Sequence, residues 1–182
     1  MTSYGPWDPA TPSEALALFG DCGVPWWIAG GYALELFAGR SWRTHGDLDV
    51  LMLHRDQLVV QDVLAGWEWW AADPPGTLRR WEPGEVLPPS VQDVWCRPGA
   101  DLPWRIQVML GSSLPASSVV VAGIPCLGPE VQLSHKALSP RPKDEVDFFA
   151  VVGLLDDSQR RWLRDAVRRS CGDPHAWLGF LG

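Results

Sequence analysis

Lysine occurs only at positions 136 and 143 of this 182-residue chain, so almost all of its positive charge is arginine. Arginine keeps its charge at any ordinary pH and offers a planar fork of donors. Basic contacts here therefore lean toward bidentate anion recognition or stacking on aromatic rings. An excess of positive charge is absent too: Lys and Arg total 15 against 22 Asp and Glu, for a formal net charge of −7. Holding duplex nucleic acid by neutralising its phosphates requires a basic face, which argues against a nucleic-acid partner. A small polyanion such as ATP remains allowed, because a bound divalent cation supplies the missing positive charge. The four cysteines, Cys22, Cys96, Cys126 and Cys171, are scattered, with no CxxC pair and no Cys/His cluster at zinc spacing. Buried thiols are expected of them. The opening MTSYGPWDPATPSEAL carries neither a basic n-region nor an apolar h-region. No apolar run approaches the ~20 residues of a membrane span. A soluble, cytoplasmic protein with no membrane partner is the expectation.

Hydrophobic residues make up 46 % of the chain and charged residues 20 %, which suits a real core and argues against global disorder. Tryptophan is abundant, at 12. Large rings spread through core and surface account for most of them, and an aromatic-lined ligand site is the sharper alternative. Residues 1–10, rich in Pro and Gly, read as a loose arm. Thr11-Pro12-Ser13-Glu14 reads as a capping box that opens a helix running to Phe19. Val24–Ala29 fits a buried strand broken by Gly30-Gly31, after which Tyr32–Ala38 reads as a helix ended by Gly39. Asp47–His54 reads as a strand, and Asp56 as the cap of a helix to about Ala65. Trp67–Ala72, Leu78–Trp81, Val91–Arg97, Trp104–Leu110 and Ser117–Cys126 are each expected as one strand. Helices over Pro129–Leu138, Pro142–Leu154 and Ser158–Ser170 follow, with Ser158 as a cap and Gly123–Pro129 as a short linker. The order is that of an α/β (α+β) protein. A mixed β-sheet flanked by helices occupies residues 1–127, and a C-terminal helical part occupies 128–182.

Asp47-Leu48-Asp49 is the motif with chemical content. On a strand, residues i and i+2 leave the same face ~6–7 Å apart. Leu48 then enters the core while both carboxylates project into one hollow, where like charges repel. A hard divalent metal relieves that repulsion, since Mg²⁺ takes one or two carboxylates together with phosphate oxygens. A DxD alone is as well explained by a turn cap or a solvated edge. Three neighbours weigh the other way. Gly30-Gly31 lies earlier, at a strand-to-helix break where backbone N–H groups can hold a phosphate. Arg40, Arg43 and His45 lie between the two motifs, where a triphosphate would sit. Val50–Leu53 carries Asp49 into a buried strand. Singly, the glycines are explained by a tight turn and the basic residues by a solvated loop. Asp144 and Asp147 read as a solvated helix start favoured by the helix dipole. Arg160, Arg161, Arg164, Arg168 and Arg169 read as the basic side of an amphipathic surface helix.

The run WWIAGGYALELFAGRSWRTHGDLDVLMLHRDQ, Trp26–Gln57, resembles the signature of the DNA-polymerase-β-type nucleotidyltransferase superfamily: a diglycine turn, a helix, then DxD on the next strand. More narrowly, it is similar to the aminoglycoside-2''-adenylyltransferase and lincosamide nucleotidyltransferase group. So is the later run GIPCLGPEVQLSHKA with RPKDEVDFFAVVGLLDDSQRRWLRDAV. The resemblance implies the nucleotidyltransferase fold, with Mg²⁺ on Asp47 and Asp49. It implies that Gly30 and Gly31 approach the nucleotide phosphates; Arg43 and His45, by their place between the two motifs, are the further nucleotide-binding candidates. It offers Lys136 as a phosphate contact, an exposed helix residue being the equal alternative. It also implies transfer of a nucleoside monophosphate, AMP first, from a nucleoside triphosphate to a hydroxyl of a small molecule of aminoglycoside or lincosamide type. One departure matters. The superfamily places a third carboxylate on a later strand, and the matching slot in WRIQVML holds Gln107, whose neutral amide cannot accept a proton. Asp93, on the preceding strand, is the expected catalytic substitute, with Glu68 behind it. The alternative is a catalytically impaired binding or regulatory protein of the same fold.

Overall fold

The computed structural model describes residues 4–182. They fall into two compact units that interleave along the chain. The first takes the chain up to Ile28, then Thr44–Leu114 and Ala122–Pro125; the second takes Ala29–Arg43, Pro115–Val121 and Cys126–Gly182. The expected division was a single cut after residue 127. Among the described residues no helix is long and apolar enough to cross a membrane.

The first unit is built on a mixed sheet. Its strands are β1 (Trp26–Ile28), β2 (Asp49–Leu53), β3 (Glu68–Ala71), β4 (Arg79–Arg80), β5 (Asp93–Arg97) and β6 (Ile106–Gly111), in the order β4-β3-β5-β6-β2-β1. The β2–β6 pair is parallel and the others are antiparallel. Period-2 alternation divides the strands into two faces. Val50, Met52, Val94, Cys96, Ile106 and Val108 are buried on one side. Asp49, Leu51, Asp93, Trp95, Arg97, Gln107 and Met109 occupy the other, half-buried side. Helix α1 (Pro12–Phe19) starts where its sequence says, with Thr11 and Glu14 bonding each other's backbone reciprocally. The expected helix from Asp56 is instead a 3-10 turn, His54–Asp56, followed by a short helix α3 (Val59–Val63) without a side-chain cap. Buried Gln57 diverts the chain there, taking the Leu87 N–H at 2.7 Å and donating to the His54 carbonyl at 2.9 Å.

The expected loose arm is docked over residues 4–10; residues 1–3 lie outside the described residues. Trp104 N–H donates to the Pro6 carbonyl, and Asp8 and Ala10 N–H donate to the carbonyls of Trp104 and Arg105. The anchor is aromatic. Trp104 is 2 % exposed. It packs edge-on against Trp95 and Trp70, with the Arg97 guanidinium 4.5 Å from its ring centre, and its Nε1 donates to the Tyr4 carbonyl at 2.9 Å. Much of the tryptophan content is therefore structural packing, as the plainer reading of the sequence held.

The second unit contains α2 (Gly30–Ala38), β7 (Ser118–Val121), α4 (Pro129–Ala137), α5 (Pro142–Val151) and α6 (Asp157–Cys171), with a closing 3-10 helix over Ala176–Phe180. Ser117–Cys126, expected as one strand, turns at Ala122-Gly123, where φ is 50° and 82°. Positive φ at both central residues makes the tight reversal that splits the segment into β7 and β8 (Ile124–Leu127). The expected linker after Gly123 is thus largely strand. Asp156, not Ser158, caps α6, because only Asp156 stands three residues before Gln159 and closes a reciprocal pair with it. The core gathers Leu34, Leu133, Leu155, Leu163, Val167 and the stacked rings of Phe148 and Trp177, whose centres are 4.2 Å apart.

Trp104→Ala is expected to lower the unfolding free energy by about 3–5 kcal/mol, whereas Asp101→Asn on the nearby exposed turn should change it by less than about 0.5 kcal/mol. Urea denaturation of the two variants checks this.

Candidate functional site

Asp47 lies just before β2 and Asp49 is its first residue, so the expected strand begins two residues later than Asp47. The alternation nonetheless holds. Leu48 is fully buried, while Asp47 and Asp49 are half-buried on either side of it. The Gln107 N–H donates to the Leu48 carbonyl at 2.8 Å and fastens this entrance to β6. In the parallel register Asp49 faces Gln107.

Asp93 stands one strand further out. Its backbone faces Met109, and its Oδ1 accepts from Gln107 Nε2 at 2.9 Å. Strands are ~4.8 Å apart, so two intervals plus the diagonal offset put Asp93 more than ~10 Å from Asp49 at the backbone. Among the described residues no three His, Cys, Asp or Glu side chains gather where they could hold a metal ion. The structure thus brings Asp93 to Gln107 and not into a group of three with Asp47 and Asp49. Glu68, the weaker substitute, is engaged by Arg97 at 2.8 Å and by Arg80 at 3.6 Å. His45, in the loop before Asp47, is 8 % exposed. Over this face opens a cleft of about 480 Å³, with Asp93, Trp95 and Gln107 on its floor and Tyr4, Ala72 and Leu78 among its walls.

Gly30, Gly31, Arg43 and Lys136 belong to the second unit. Gly30 and Gly31 open α2 and are buried. Gly30 has φ 65°, and its N–H, expected to face a phosphate, donates to Gln132 Oε1 at 2.8 Å. Arg43 forks onto Asp147, with Nε–Oδ1 and Nη2–Oδ2 both at 2.8 Å. Lys136 is neither exposed nor alone. Its ammonium is buried, 2.6 Å from Asp144 and 3.0 Å from Asp147. Asp144 and Asp147, expected as a solvated helix start, are 1 % and 0 % exposed. Trp42 Nε1 adds a bond to Asp147 at 2.9 Å, and Arg141 Nε one to Asp144 at 2.7 Å.

The burial of Asp144 and Asp147 follows from their spacing. Residues i and i+3 share a helix face, and that face meets Lys136 and Arg43 instead of water. Buried Glu35 completes the arrangement by accepting from Ser41 Oγ and from the backbone N–H groups of Trp42 and Arg43. A buried carboxylate is tolerable only when paired and hydrogen-bonded. Burial alone would raise the pKa of Asp147, but hydrogen bonds from Arg43, Trp42 and Lys136 outweigh it and hold the value down to about 2. Asp144 is likewise burdened by burial and brought well below the usual range by Arg141 and Lys136.

These parts make the nucleotidyltransferase fold. Within it, residues 13–69, which hold the diglycine turn and both aspartates, match the family model described as aminoglycoside-2''-adenylyltransferase. The crystal structure of ANT(2'')-Ia in complex with adenylyl-2''-tobramycin is similar, with a TM-score of 0.58 and 15 % identity over 86 % of this chain and 94 % of that one. The solution structure of the antibiotic-resistance factor ANT(2'')-Ia gives 0.55 and 18 % over 86 % and 89 %. The lincomycin-bound lincosamide antibiotic adenylyltransferase LnuA gives 0.56 and 16 % over 81 % and 100 %. No curated protein matches the sequence. The resemblance to the aminoglycoside and lincosamide nucleotidyltransferase group stands on these matches.

Asp147→Ala should destabilise the protein by about 3–5 kcal/mol, because it strands two buried cations. The acid limb follows from the lowered pKa values. Asp144 and Asp147 contribute stability above the unfolded value of about 3.9, and that contribution is lost as pH falls toward 2. Asp147→Asn should flatten this loss, read as midpoint against pH in urea titrations.

Proposed function

We propose that this chain is a metal-dependent nucleotidyltransferase, moving a nucleoside monophosphate, AMP first, from a nucleoside triphosphate to a hydroxyl of a small molecule. The observation that carries the reading is the half-buried Asp47/Asp49 pair around fully buried Leu48, at the entrance of a strand interior to the sheet. The donor set fits Mg²⁺, which asks for hard oxygens, takes one or two carboxylates and fills the remaining positions with water and phosphate. Bound there, the ion would neutralise charge on the transferred phosphoryl group.

The protein's own part is placement. Leu48 in the core and the Gln107 N–H on its carbonyl fix the backbone between the two aspartates. Gln107 beside Asp49 can orient an acceptor hydroxyl as a hydrogen-bond partner but cannot take its proton. Phosphoryl transfer depends mostly on positioning and charge stabilisation. A missing base, worth ~10²–10⁴-fold, therefore slows the reaction without removing it. That similar proteins are known with adenylyl-2''-tobramycin or lincomycin bound supports a small-molecule acceptor. The neutral Gln107 favours a second reading, a nucleotide-binding protein of this fold that no longer turns over.

Thermal shift with Mg·ATP, Mg·GTP and Mg·CTP, followed by pyrophosphate release across an aminoglycoside and lincosamide panel, separates these. Wild type should be stabilised by a nucleotide only with metal, and Asp49→Asn should not respond. Pyrophosphate should appear with at least one acceptor, and Gln107→Glu should raise kcat by ~10-fold or more. Stabilisation without pyrophosphate on any acceptor would leave the second reading. No stabilisation of wild type would end both.

A further inference from the structure

We propose that the cleft above Asp93, Trp95 and Gln107 binds a small molecule carrying one ammonium group beside a flat or apolar body, and that this is the acceptor's seat. Only the word acceptor rests on the reaction proposed above. At about 480 Å³ the cleft lies within the range of small-ligand sites. Its lining includes two rings, aliphatic groups and Thr77. Tyr4 meets Trp95 edge-on at 6.2 Å, and Ala72 and Leu78 complete the apolar lining. The Tyr4 hydroxyl reaches the Gly76 carbonyl, so the docked arm closes one side against the turn between β3 and β4.

The floor supplies the polarity. Among the described residues Asp93 meets no cation, and its carboxylate is held only by the neutral Gln107 amide. Five other carboxylates of this unit are satisfied by arginine: Glu68 by Arg97, Asp73 and Glu85 by Arg79, Asp8 and Glu14 by Arg105. A carboxylate without a cation, in one cleft with the rings of Tyr4 and Trp95, is complementary to an ammonium ion, which gains from both the charge and the ring quadrupoles. The charge count is one. Gln107 is neutral and, among the described residues, no second acid lines the cleft, so a second ammonium would lose its hydration there without a carboxylate in return. Gln107 is also the register partner of Asp49, so a ligand anchored at Asp93 extends across Gln107 toward the acidic pair. Its hydroxyl and its ammonium would then be roughly 10 Å apart, two strand intervals.

The test is a ligand-observed NMR titration of the full chain, without nucleotide or metal. The probes are 2-phenylethylammonium, neutral 2-phenylethanol and butane-1,4-diammonium. The monoammonium probe should saturate, bind at least tenfold more tightly than the alcohol, and be matched or surpassed by neither other probe. Asp93→Asn keeps an acceptor for Gln107 and should erase the tenfold preference. Tyr4→Ala, on the exposed arm, should weaken both aromatic probes by a similar factor. Equal binding of amine and alcohol, a preference untouched by Asp93→Asn, tighter binding of the diammonium, or no saturable binding would each overturn the proposal. Failure here leaves the nucleotide and pyrophosphate results standing, and their failure leaves the cleft's binding standing.

Discussion

The parallel pairing of β2 with β6 sets the chemistry of the first unit. Its register places Asp49 opposite Gln107, and through the neighbouring β5 it places Gln107 within reach of Asp93. Because side chains alternate with a period of two, a slip of one residue would send Asp47 and Asp49 into the core and Leu48 into the hollow. Full burial of Leu48, Val50 and Val108 makes such a slip costly. Apolar burial on one face thus determines the position of the acids on the other.

The second unit obeys a different constraint. Two carboxylates, a lysine and an arginine are taken out of water together, and none of them could be buried alone. Arg43 and Trp42 donate to Asp147, Lys136 bridges Asp144 and Asp147, and Glu35 holds the backbone of the Trp42-Arg43 segment. The result is a charged interior beside an aromatic one, where Phe148 stacks on Trp177. Groups that looked like a phosphate site in the linear order serve to fix a loop onto α5.

Gln107 lies between the acidic pair and the cleft over Asp93. As an amide it brings no second carboxylate beside Asp49, and as an amide it bonds Asp93 without bringing a cation to it. A carboxylate at that position would change both properties together. The docking of the amino-terminal arm has a similar double effect, since it covers Trp104 and also brings Tyr4 to the cleft.

Local chemistry made much of this legible in the linear chain. The capping box at Thr11, the glycine stop after Ala38 and the DxD alternation all depend on residues close in sequence or on a strand's own period. What the sequence by itself determined is therefore the fold class, most element positions and the burial of Leu48 between half-buried Asp47 and Asp49. Tertiary structure alone decided the rest. That Asp144 and Asp147 are buried depends on Arg43 and Lys136 arriving from other helices and loops. That residues 4–10 are docked depends on Trp104, far along the chain. That Asp93 turns to Gln107 depends on strand order. Burial and pairing across long separations are properties of packing, and no local pattern of residue types encodes which distant partner will be there.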